Sequence, residues 1–291
     1  MKIGIHSRFF AQEKLVHFKT LLKQLTEMGT QLWITPNLIK HLESMNFRIE
    51  NYVSLTHQKK LKELDYMLSI GGDGSLLETV TYVKDSGVPI LGVNLGTMGF
   101  LATISPKQIS ESLVKLFEKR YTIEHRTLIQ VESNYRVFKN LNFGLNEFAI
   151  LKRDTSSMIT VHTHINGMYL TSYWADGLIV STPTGSTGYC LSVGGPVVTP
   201  ESKSFVVAPV SPHNLNMRPL VVSDDSVLNF EIEGRGKKFL ISLDSRSKVV
   251  DASIRLQVQK CPFLVKLIRL EGDNFFNTLK HKLNWGLDTR N

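Results

Sequence analysis

The sequence is poor in the features that mark secreted, membrane-spanning and thiolate-metal proteins. Its 291 residues include two cysteines, Cys190 and Cys261, and neither lies in a CxxC pair. That spacing argues against a disulfide framework and against a thiolate metal site. No apolar run reaches the length of about 18 residues that a bilayer-spanning helix needs. The first residues, MKIGIHSRFF, lack the apolar segment of a signal peptide. We therefore expect a cytoplasmic protein without a membrane partner.

Three common signatures of nucleotide-binding proteins are also missing. The sequence contains no GxxxxGK[ST], no GxGxxG after its early strands, and no HRD and DFG pair. The protein is therefore neither a P-loop enzyme nor a protein kinase, and it lacks the usual dinucleotide-binding fingerprint. Any phosphate binding must therefore use a different loop.

The charge is positive but dispersed. Lys and Arg number 34 against 26 Asp and Glu, which gives a net charge of +8. A basic surface can serve nucleic acid, anionic lipid or phosphorylated small molecules. The basic residues form no stripe interleaved with aromatic side chains, which makes nucleic acid the weakest of these partners.

The first part of the chain alternates between strand and helix patterns. Short apolar runs at residues 1–5, 31–35, 65–70 and 88–94 predict strands. Apolar residues three and four positions apart predict helices over residues 15–25, 75–87 and 106–120, and a basic helical stretch precedes the strand at 65–70. Strands that alternate with helices of this length indicate βαβ units and a parallel sheet.

The pattern changes near residue 126. Residues 127–270 contain many short β-prone runs separated by turn signals, and residues 275–285 return to helical spacing. We predict an α/β N-terminal domain with a parallel sheet, formed by residues 1–126 and completed by 271–291. A larger all-β domain follows at 127–270, and the C-terminal helix returns to the first domain.

A glycine-rich segment, SIGGDGSLLE, starts at Ser69, where a strand should end and a helix begin. Helix N-termini attract anions, and glycines such as Gly72 and Gly74 let a phosphate approach the backbone. The acid between them, Asp73, would repel a phosphate unless it binds a metal or accepts a proton, as phosphoryl transfer requires. The alternative is a tight strand–helix turn with Asp73 as the N-cap.

Two further segments offer polar groups without bulk. Residues 182–188 are rich in hydroxyls and glycine and suit a sugar or adenine edge, although a plain turn is the alternative. Asn146 and Glu147 form an amide–carboxylate pair that can contact ribose hydroxyls and base nitrogens.

Taken together, these segments resemble the NAD kinase family. The resemblance rests, in the family's order and over nearly the whole chain, on GGDGSLLE, GVNLGTMGFL, LNE, ADGLIVSTPTGSTGYCLSVGGP, PHNLNMRPLV and FFNTLKHKLNWG. GGDG alone is shared with diacylglycerol kinases and phosphofructokinases. The TPTGSTxY segment and the Asn-Glu pair are far more specific to NAD kinases.

The resemblance implies an activity. The terminal phosphoryl group of ATP, or of polyphosphate in some members, would pass to the adenosine 2′-hydroxyl of NAD to give NADP. Asp73 would be the general base, and Mg²⁺ would be held by the nucleotide phosphates rather than by an identifiable protein cage. A homodimer or homotetramer is also implied.

The family's binding residues carry over to positions in both predicted domains. In the first domain the resemblance implies that Gly72, Gly74 and the aromatic Phe100 contact the substrates. In the second domain it implies that NAD contacts the Asn-Glu pair and the hydroxyl-rich loop with the residues that follow it: Asn146, Glu147, Thr184, Thr187, Gly188, Tyr189 and Ser192. Asp176 would reach NAD in the oligomer.

Three positions depart from the family pattern. Gly188 stands where alanine is common, and Trp174 stands where a basic or polar residue often precedes Asp176 by two places. Arg246 occurs in Asp-Ser-Arg where the family has Asp-Gly-Gln. Its guanidinium could pair with a phosphate or face solvent.

Two other functions fit part of the sequence. A lipid kinase of the diacylglycerol class is compatible with GGDG and the basic charge, but a lipid acceptor would need an apolar groove rather than adenosine contacts. A dinucleotide sensor without turnover would keep the pocket, although the retained Asp73 argues against it.

Overall fold

The computed structural model describes residues 1–56, 58–96, 98–153 and 157–286, and the chain divides into two compact units. Unit 1 comprises residues 1–125 and 265–291, and unit 2 comprises residues 126–264. The α-helices are α1 Leu15–Glu27, α2 Pro36–Ser44, α3 Asp73–Val83, α4 Ile109–Phe117, α5 Tyr189–Ser192 and α6 Phe275–Leu283.

The strands are numbered along the chain. They are β1 Lys2–His6, β2 Gln31–Ile34, β3 Tyr52–Ser54, β4 Tyr66–Ile70, β5 Ile90–Val93, β6 Tyr121–Arg126, β7 Ile129–Ser133, β8 Phe143–Gly144, β9 Glu147–Lys152, β10 Ile159–Ile165, β11 Met168–Ala175, β12 Gly177–Ser181, β13 Ser204–Val210, β14 Leu220–Ser223, β15 Leu228–Gly234, β16 Lys238–Leu243, β17 Arg246–Asp251, β18 Arg255–Lys260 and β19 Val265–Leu270.

Unit 1 is built on one sheet of seven strands in the order β3-β2-β1-β4-β5-β19-β6. The neighbouring strands from β3 to β19 pair in parallel. All five residues of β4 are buried, as expected for a strand with both faces covered. Helix α1 buries the apolar stripe that its sequence spacing predicts, and Gly29, with a φ of 70°, follows its end.

Unit 2 consists of two antiparallel sheets of six strands each. Their orders are β11-β10-β15-β18-β7-β8 and β14-β13-β12-β9-β16-β17. Buried side chains alternate along the strands, and one apolar cluster takes residues from both sheets, including Phe148, Phe205, Phe230 and Phe239. This shared core identifies two sheets packed face to face.

The predicted fold class is confirmed, and helix α6 belongs to unit 1. One boundary was wrong: residues 265–270, expected in the all-β domain, form β19 and lie between β5 and β6 in the first sheet. The physical reason is that β19 is buried along nearly its whole length, as a covered parallel strand is. Unit 2 is consequently slightly the shorter unit rather than the larger one.

The segment between β2 and β4 is more elaborate than predicted. The sequence indicated only a basic helical stretch there, whereas the structure forms α2, the short edge strand β3 and a 3₁₀ helix at Gln58–Glu63. Pro36 occupies the first position of α2, where its missing N–H costs nothing. Within the described ranges, no helix is long and apolar enough to cross a membrane.

A buried histidine lies at the end of β1. The His6 ring is fully buried, its Nδ1 lies 2.9 Å from Thr35 Oγ1, and its centroid lies 4.5 Å from that of Tyr82. Nε2 lies 3.6 Å from a carboxylate oxygen of Glu78, which favours the charged ring. Burial outweighs this attraction and lowers the pKa of His6 to about 4.

The low pKa of His6 predicts that unit 1 loses stability in mild acid. Below about pH 6.5 the His6 ring binds a proton in the unfolded chain but not in the folded protein. The free energy of unfolding therefore falls as the pH drops towards 4. Urea unfolding at pH 7 and pH 4.5 should show that His6→Gln removes roughly 2 kcal/mol of this loss. The exposed His125, changed to Gln, is the control and should behave as wild type; an equal loss in all three proteins would contradict the prediction.

Candidate active site

The glycine-rich turn lies at the carboxyl end of β4, where the strand order of the first sheet reverses. The chain runs from β1 outwards to β2 and β3, and then returns to β4 and β5 on the other side. Ligands of open α/β sheets bind outside the carboxyl ends of the strands at such a point. Gly71, with a φ of 126°, makes the turn, and its N–H donates to the Val93 carbonyl at 2.8 Å.

Asp73 is the first residue of α3, and Gly72 is the N-cap. The Asp73 carboxylate accepts the backbone N–H groups of Phe100 at 2.9 Å and of Leu101 and Ala102 at 3.0 Å each. The interpretation of Asp73 as an N-cap is therefore wrong. Oδ1 accepts two of these bonds and Oδ2 one, which leaves one lone-pair position on Oδ2 for another partner.

The glycines around Asp73 differ in what requires them. A Cβ on Gly99 would lie 2.0 Å from Asp73 Oδ1, so the approach of the loop to the carboxylate demands glycine there. A Cβ on Gly72 or Gly74 would meet no protein atom within 4 Å, and neither residue has a positive φ. The fold does not require glycine at these two exposed positions, and the open space beside them is available to a ligand.

Two side chains of unit 1 complete this region. Phe100 is half-buried, and its main chain is anchored on Asp73. Lys14, which the sequence reasoning missed, places its Nζ 2.3 Å from the position of a Cβ on Gly96, in the loop that follows β5. Gly96 is itself held by its N–H bond to Asn94 Oδ1 at 2.7 Å. The motif GVNLGTMGFL includes Thr97, which lies outside the described residues.

In unit 2, the loop before β9 is held by Asp244, which the sequence reasoning also missed as a binding determinant. Its carboxylate accepts the N–H groups of Leu145 at 2.9 Å, Asn146 at 2.8 Å and Glu147 at 3.2 Å. Asp244 has a φ of 51° in the turn between β16 and β17. Its Asp-Ser-Arg context pointed to the family motif, but nothing local in the sequence indicates partners about one hundred residues away.

Asn146 and Glu147 each carry one buried side-chain oxygen, Oδ1 and Oε2 respectively. Asn146 Oδ1 and Glu147 Oε2 have no hydrogen-bond partner in the described part of the chain. Buried polar atoms are normally paired, so these two are candidates for ligand contacts. Burial, together with the nearby charge of Asp244, raises the pKa of Glu147 to about 8.

The hydroxyl-rich loop packs against this pair. Thr182 Oγ1 donates to the Leu145 carbonyl at 2.6 Å and accepts the Gly185 N–H at 3.1 Å. A Cβ on Gly185 would lie 2.1 Å from the Asn146 carbonyl oxygen, so the contact requires glycine. A Cβ on Gly188 would lie 3.2 Å from Glu147 Oε2.

Thr184, Thr187 and Tyr189 belong to the same loop and the start of α5. Arg126, which is 2% exposed, donates to Thr184 Oγ1 at 3.3 Å, and Thr187 Oγ1 donates to the Thr184 carbonyl at 3.3 Å. The backbone N–H of Tyr189 is directed at the Glu147 carboxyl group. The structure therefore brings Asn146, Gly188 and Tyr189 to Glu147, and Thr184 and Thr187 lie in the loop that leads to them.

Two predicted residues of unit 2 stand apart from this cluster. Ser192 is the exposed last residue of α5. Asp176 precedes β12, whose opposite end leads into the hydroxyl-rich loop, and it forms an ion pair with Lys152 at 2.6 Å. Because β12 contributes five residues between the two places, Asp176 and the loop are separated by the length of a strand.

The departures from the family pattern have local explanations. Arg246 does not simply face solvent: its guanidinium donates to the carbonyls of Leu141 and Phe143 and lies 3.8 Å from Asp244 Oδ2. Trp174 is half-exposed and its ring lies against that of His213, with centroids 4.1 Å apart and ring planes inclined by 36°. The described residues contain no group of three or more His, Cys, Asp or Glu side chains that could hold a metal ion.

Family models match both parts of the chain. The ATP-NAD kinase N-terminal domain matches residues 12–121, and the ATP-NAD kinase C-terminal domain matches residues 145–270. The NAD kinase of Cytophaga hutchinsonii is 47% identical over 292 residues and that of Christiangramia forsetii 41% identical over 294, each with 100% of both chains covered. The chain belongs to the NAD kinase family. The expected enzyme class, a phosphotransferase with an alcohol acceptor, is confirmed by this membership, and the lipid-kinase interpretation is not supported.

Solved structures agree with the NAD kinase fold. Yeast NADH kinase complexed with NADH matches with a TM-score of 0.86 at 20% identity, over 99% of this chain and 89% of that one, which shows the fold alone. An NAD kinase from Archaeoglobus fulgidus in complex with ATP matches with a TM-score of 0.76 at 25% identity, over 98% and 99% of the two chains.

The two kinds of glycine in unit 1 predict opposite effects of alanine. Gly99→Ala should lower the unfolding temperature, because its Cβ would displace the Asp73 carboxylate. Gly74→Ala should leave that temperature unchanged or raise it, since alanine is favoured over glycine within a helix by roughly 1 kcal/mol. If the space beside Gly74 receives a ligand, the same variant should raise the KM for ATP several-fold. Thermal unfolding and initial rates measure the two effects, and a stable Gly74→Ala enzyme with unchanged KM would contradict the prediction.

Proposed function

We propose that the protein transfers the terminal phosphoryl group of ATP to the adenosine 2′-hydroxyl of NAD, giving NADP and ADP, with Asp73 as the general base. The observation that carries the proposal is an acid next to two exposed glycines, Gly72 and Gly74, at the start of α3 in a chain of the NAD kinase family. The ATP and NADH named for two structural neighbours belong to the same chemistry.

The hydrogen bonds of Asp73 leave its carboxylate one position at which it can accept a proton. The 2′-oxygen of NAD attacks the terminal phosphorus, the bond from that phosphorus to the bridging oxygen breaks, and ADP leaves. The proton of the 2′-hydroxyl passes to Asp73. Three backbone N–H groups already occupy the carboxylate, so the remaining lone pair on Oδ2 is the position that would receive it.

Positive potential for the phosphates is available in the same unit. The free N–H groups at the start of α3 favour anions, and Lys14 adds an ammonium group beside Gly96. We propose that Mg²⁺ enters as part of the substrate, bound to the ATP phosphates, whose charge it neutralises. Polyphosphate is the alternative phosphoryl donor.

We assign adenosine binding to the cluster around Glu147 in unit 2. The unpartnered oxygens of Asn146 and Glu147 support this assignment. We further propose a cytoplasmic homodimer or homotetramer in which Asp176 reaches NAD bound to a neighbouring subunit. Light scattering of the purified protein would test this, and a monomeric mass would rule the assembly out.

Replacing Asp73 by Asn should lower kcat by roughly 10²–10⁴, the usual loss for a general base. The assay measures NADP formed from NAD and ATP in the presence of Mg²⁺. It is repeated with NADH in place of NAD and with polyphosphate in place of ATP. Because the amide also weakens the bonds to residues 100–102, NAD affinity and the unfolding temperature are recorded alongside.

The exposed Asp85, changed to Asn, is the matched control and should retain wild-type rates. An Asp73→Asn enzyme with undiminished kcat would eliminate the base assignment. A wild-type protein that binds NAD but forms no NADP with any donor would favour the sensor function instead.

Lys14→Met should raise the KM for ATP by roughly tenfold or more while the KM for NAD changes little, because an ammonium–phosphate hydrogen bond is worth about 1.5–3 kcal/mol. Lys14→Arg should recover part of the loss. Lys23, an exposed residue of α1 that lies 3.8 Å from Glu27, is the control when changed to Met. Equal KM values for ATP in the Lys14→Met and Lys23→Met enzymes would remove Lys14 from the phosphate site.

A further inference from the structure

Glu147, which is half-buried, and Asp244, whose side chain is buried, are neighbouring acids in unit 2. The Asp244 N–H donates to the Glu147 carbonyl at 2.9 Å, and the Glu147 N–H donates to the Asp244 carboxylate at 3.2 Å. The Asp244 side chain is 3% exposed. Burial and the nearby charge of Asp244 both raise the pKa of Glu147 and therefore favour its protonated form.

Asp244 is the better stabilised anion of the two. Its oxygens accept the three N–H groups of residues 145–147, and the Arg246 guanidinium lies 3.8 Å away. Burial raises the pKa of Asp244, and these hydrogen bonds and the Arg246 charge oppose that rise. Ionised Asp244 is therefore an integral part of the loop that presents Asn146 and Glu147.

Glu147 has far less to stabilise a negative charge. One backbone N–H, that of Tyr189, faces its carboxyl group, and Oε2 is buried without a partner among the described residues. Another titratable group beside it is the Cys190 thiol, whose own pKa is raised to about 11 chiefly by burial and also by the charge of an ionised Glu147. Of the two acids, Glu147 is therefore the one that holds a proton.

We propose that Glu147 binds the adenosine group of NAD as a neutral carboxylic acid whose O–H donates a hydrogen bond to an acceptor atom of the ligand. This inference rests on the proposed function and refines it. With Asn146 Oδ1 as the neighbouring unpartnered acceptor, the pair offers one donor and one acceptor side by side. An ionised Glu147 would offer acceptors alone. Adenosine supplies both complements, since its ring nitrogens and ribose oxygens accept while its amino and hydroxyl groups donate.

The direct consequence is that NAD affinity depends on pH. Glu147 is neutral below about pH 8 and ionised above it, so the binding form is lost as the pH rises. Calorimetric titration with NAD, without ATP, should show the Kd rising roughly tenfold between pH 7 and pH 9. Binding near pH 9 should also take up close to one proton, measured as a dependence of the binding enthalpy on the ionisation enthalpy of the buffer.

Glu147→Gln tests whether NAD binding needs a neutral hydrogen-bond donor or a negative charge at position 147. Its amide keeps a donor and an acceptor and does not titrate, so we expect a Kd within about threefold of wild type at pH 7 and no change up to pH 9.5. Glu233→Gln, at an exposed acid of the same unit, should keep the wild-type pH profile. Unfolding curves at each pH establish that every protein is folded during the titrations.

Two results would overturn this inference. One is a wild-type Kd that stays flat from pH 7 to pH 9.5 without proton uptake. The other is a folded Glu147→Gln protein whose binding at pH 7 is weakened tenfold or more, because that loss would show that the ligand needs the carboxylate. Absence of NAD binding by the wild type at every pH would instead overturn the proposed function, and this inference with it.

Discussion

A single carboxylate that accepts three consecutive backbone N–H groups holds each of the two loops on which the candidate site depends. Asp73 does this for residues 100–102, and Asp244 does it for residues 145–147. In both loops these N–H groups donate to a side-chain carboxylate rather than to backbone carbonyls. Each donor left unsatisfied in a buried position costs about 1–3 kcal/mol, so the loop conformation follows from the position of one acid. Other constraints derive from it, including the need for glycine at position 99.

The glycines of the candidate site fall into two groups: those that the fold requires and those that it does not. Gly71 is required by its backbone angle, and Gly99 and Gly185 by atoms that would collide with a side chain. Gly72 and Gly74 have no such requirement within the protein. Sequence alone treats these positions alike, because each is simply a glycine near a polar motif. Only the surrounding atoms distinguish a glycine that the fold needs from one that leaves room for another molecule.

The sequence predicted what depends on local pattern. The alternation of strands and helices, the start of α1 and the position of the GGDG turn were predicted from spacing and from glycine, whereas α3 spans Asp73–Val83 rather than the predicted residues 75–87. Partners that lie far apart in the chain were not. Asp244 is 99 residues from Leu145, and its neighbour Arg246 satisfies two carbonyls on the same distant segment. For the same reason β19 was assigned to the wrong domain, since its β-propensity does not indicate which strands it pairs with.

The placement of β19 has a consequence for synthesis on the ribosome. The sheet of unit 1 has β5 beside β19, and β19 is encoded after the whole of unit 2. Until residues 265–270 have emerged, the N–H and C=O groups along that side of β5 lack their final neighbour, and an open strand edge invites pairing with other chains. At about 5–20 residues per second, translation of the intervening 139 residues of unit 2 lasts roughly 7–28 seconds. The first unit to be started is therefore the last to be closed, and the nascent chain carries an unfinished sheet throughout that interval.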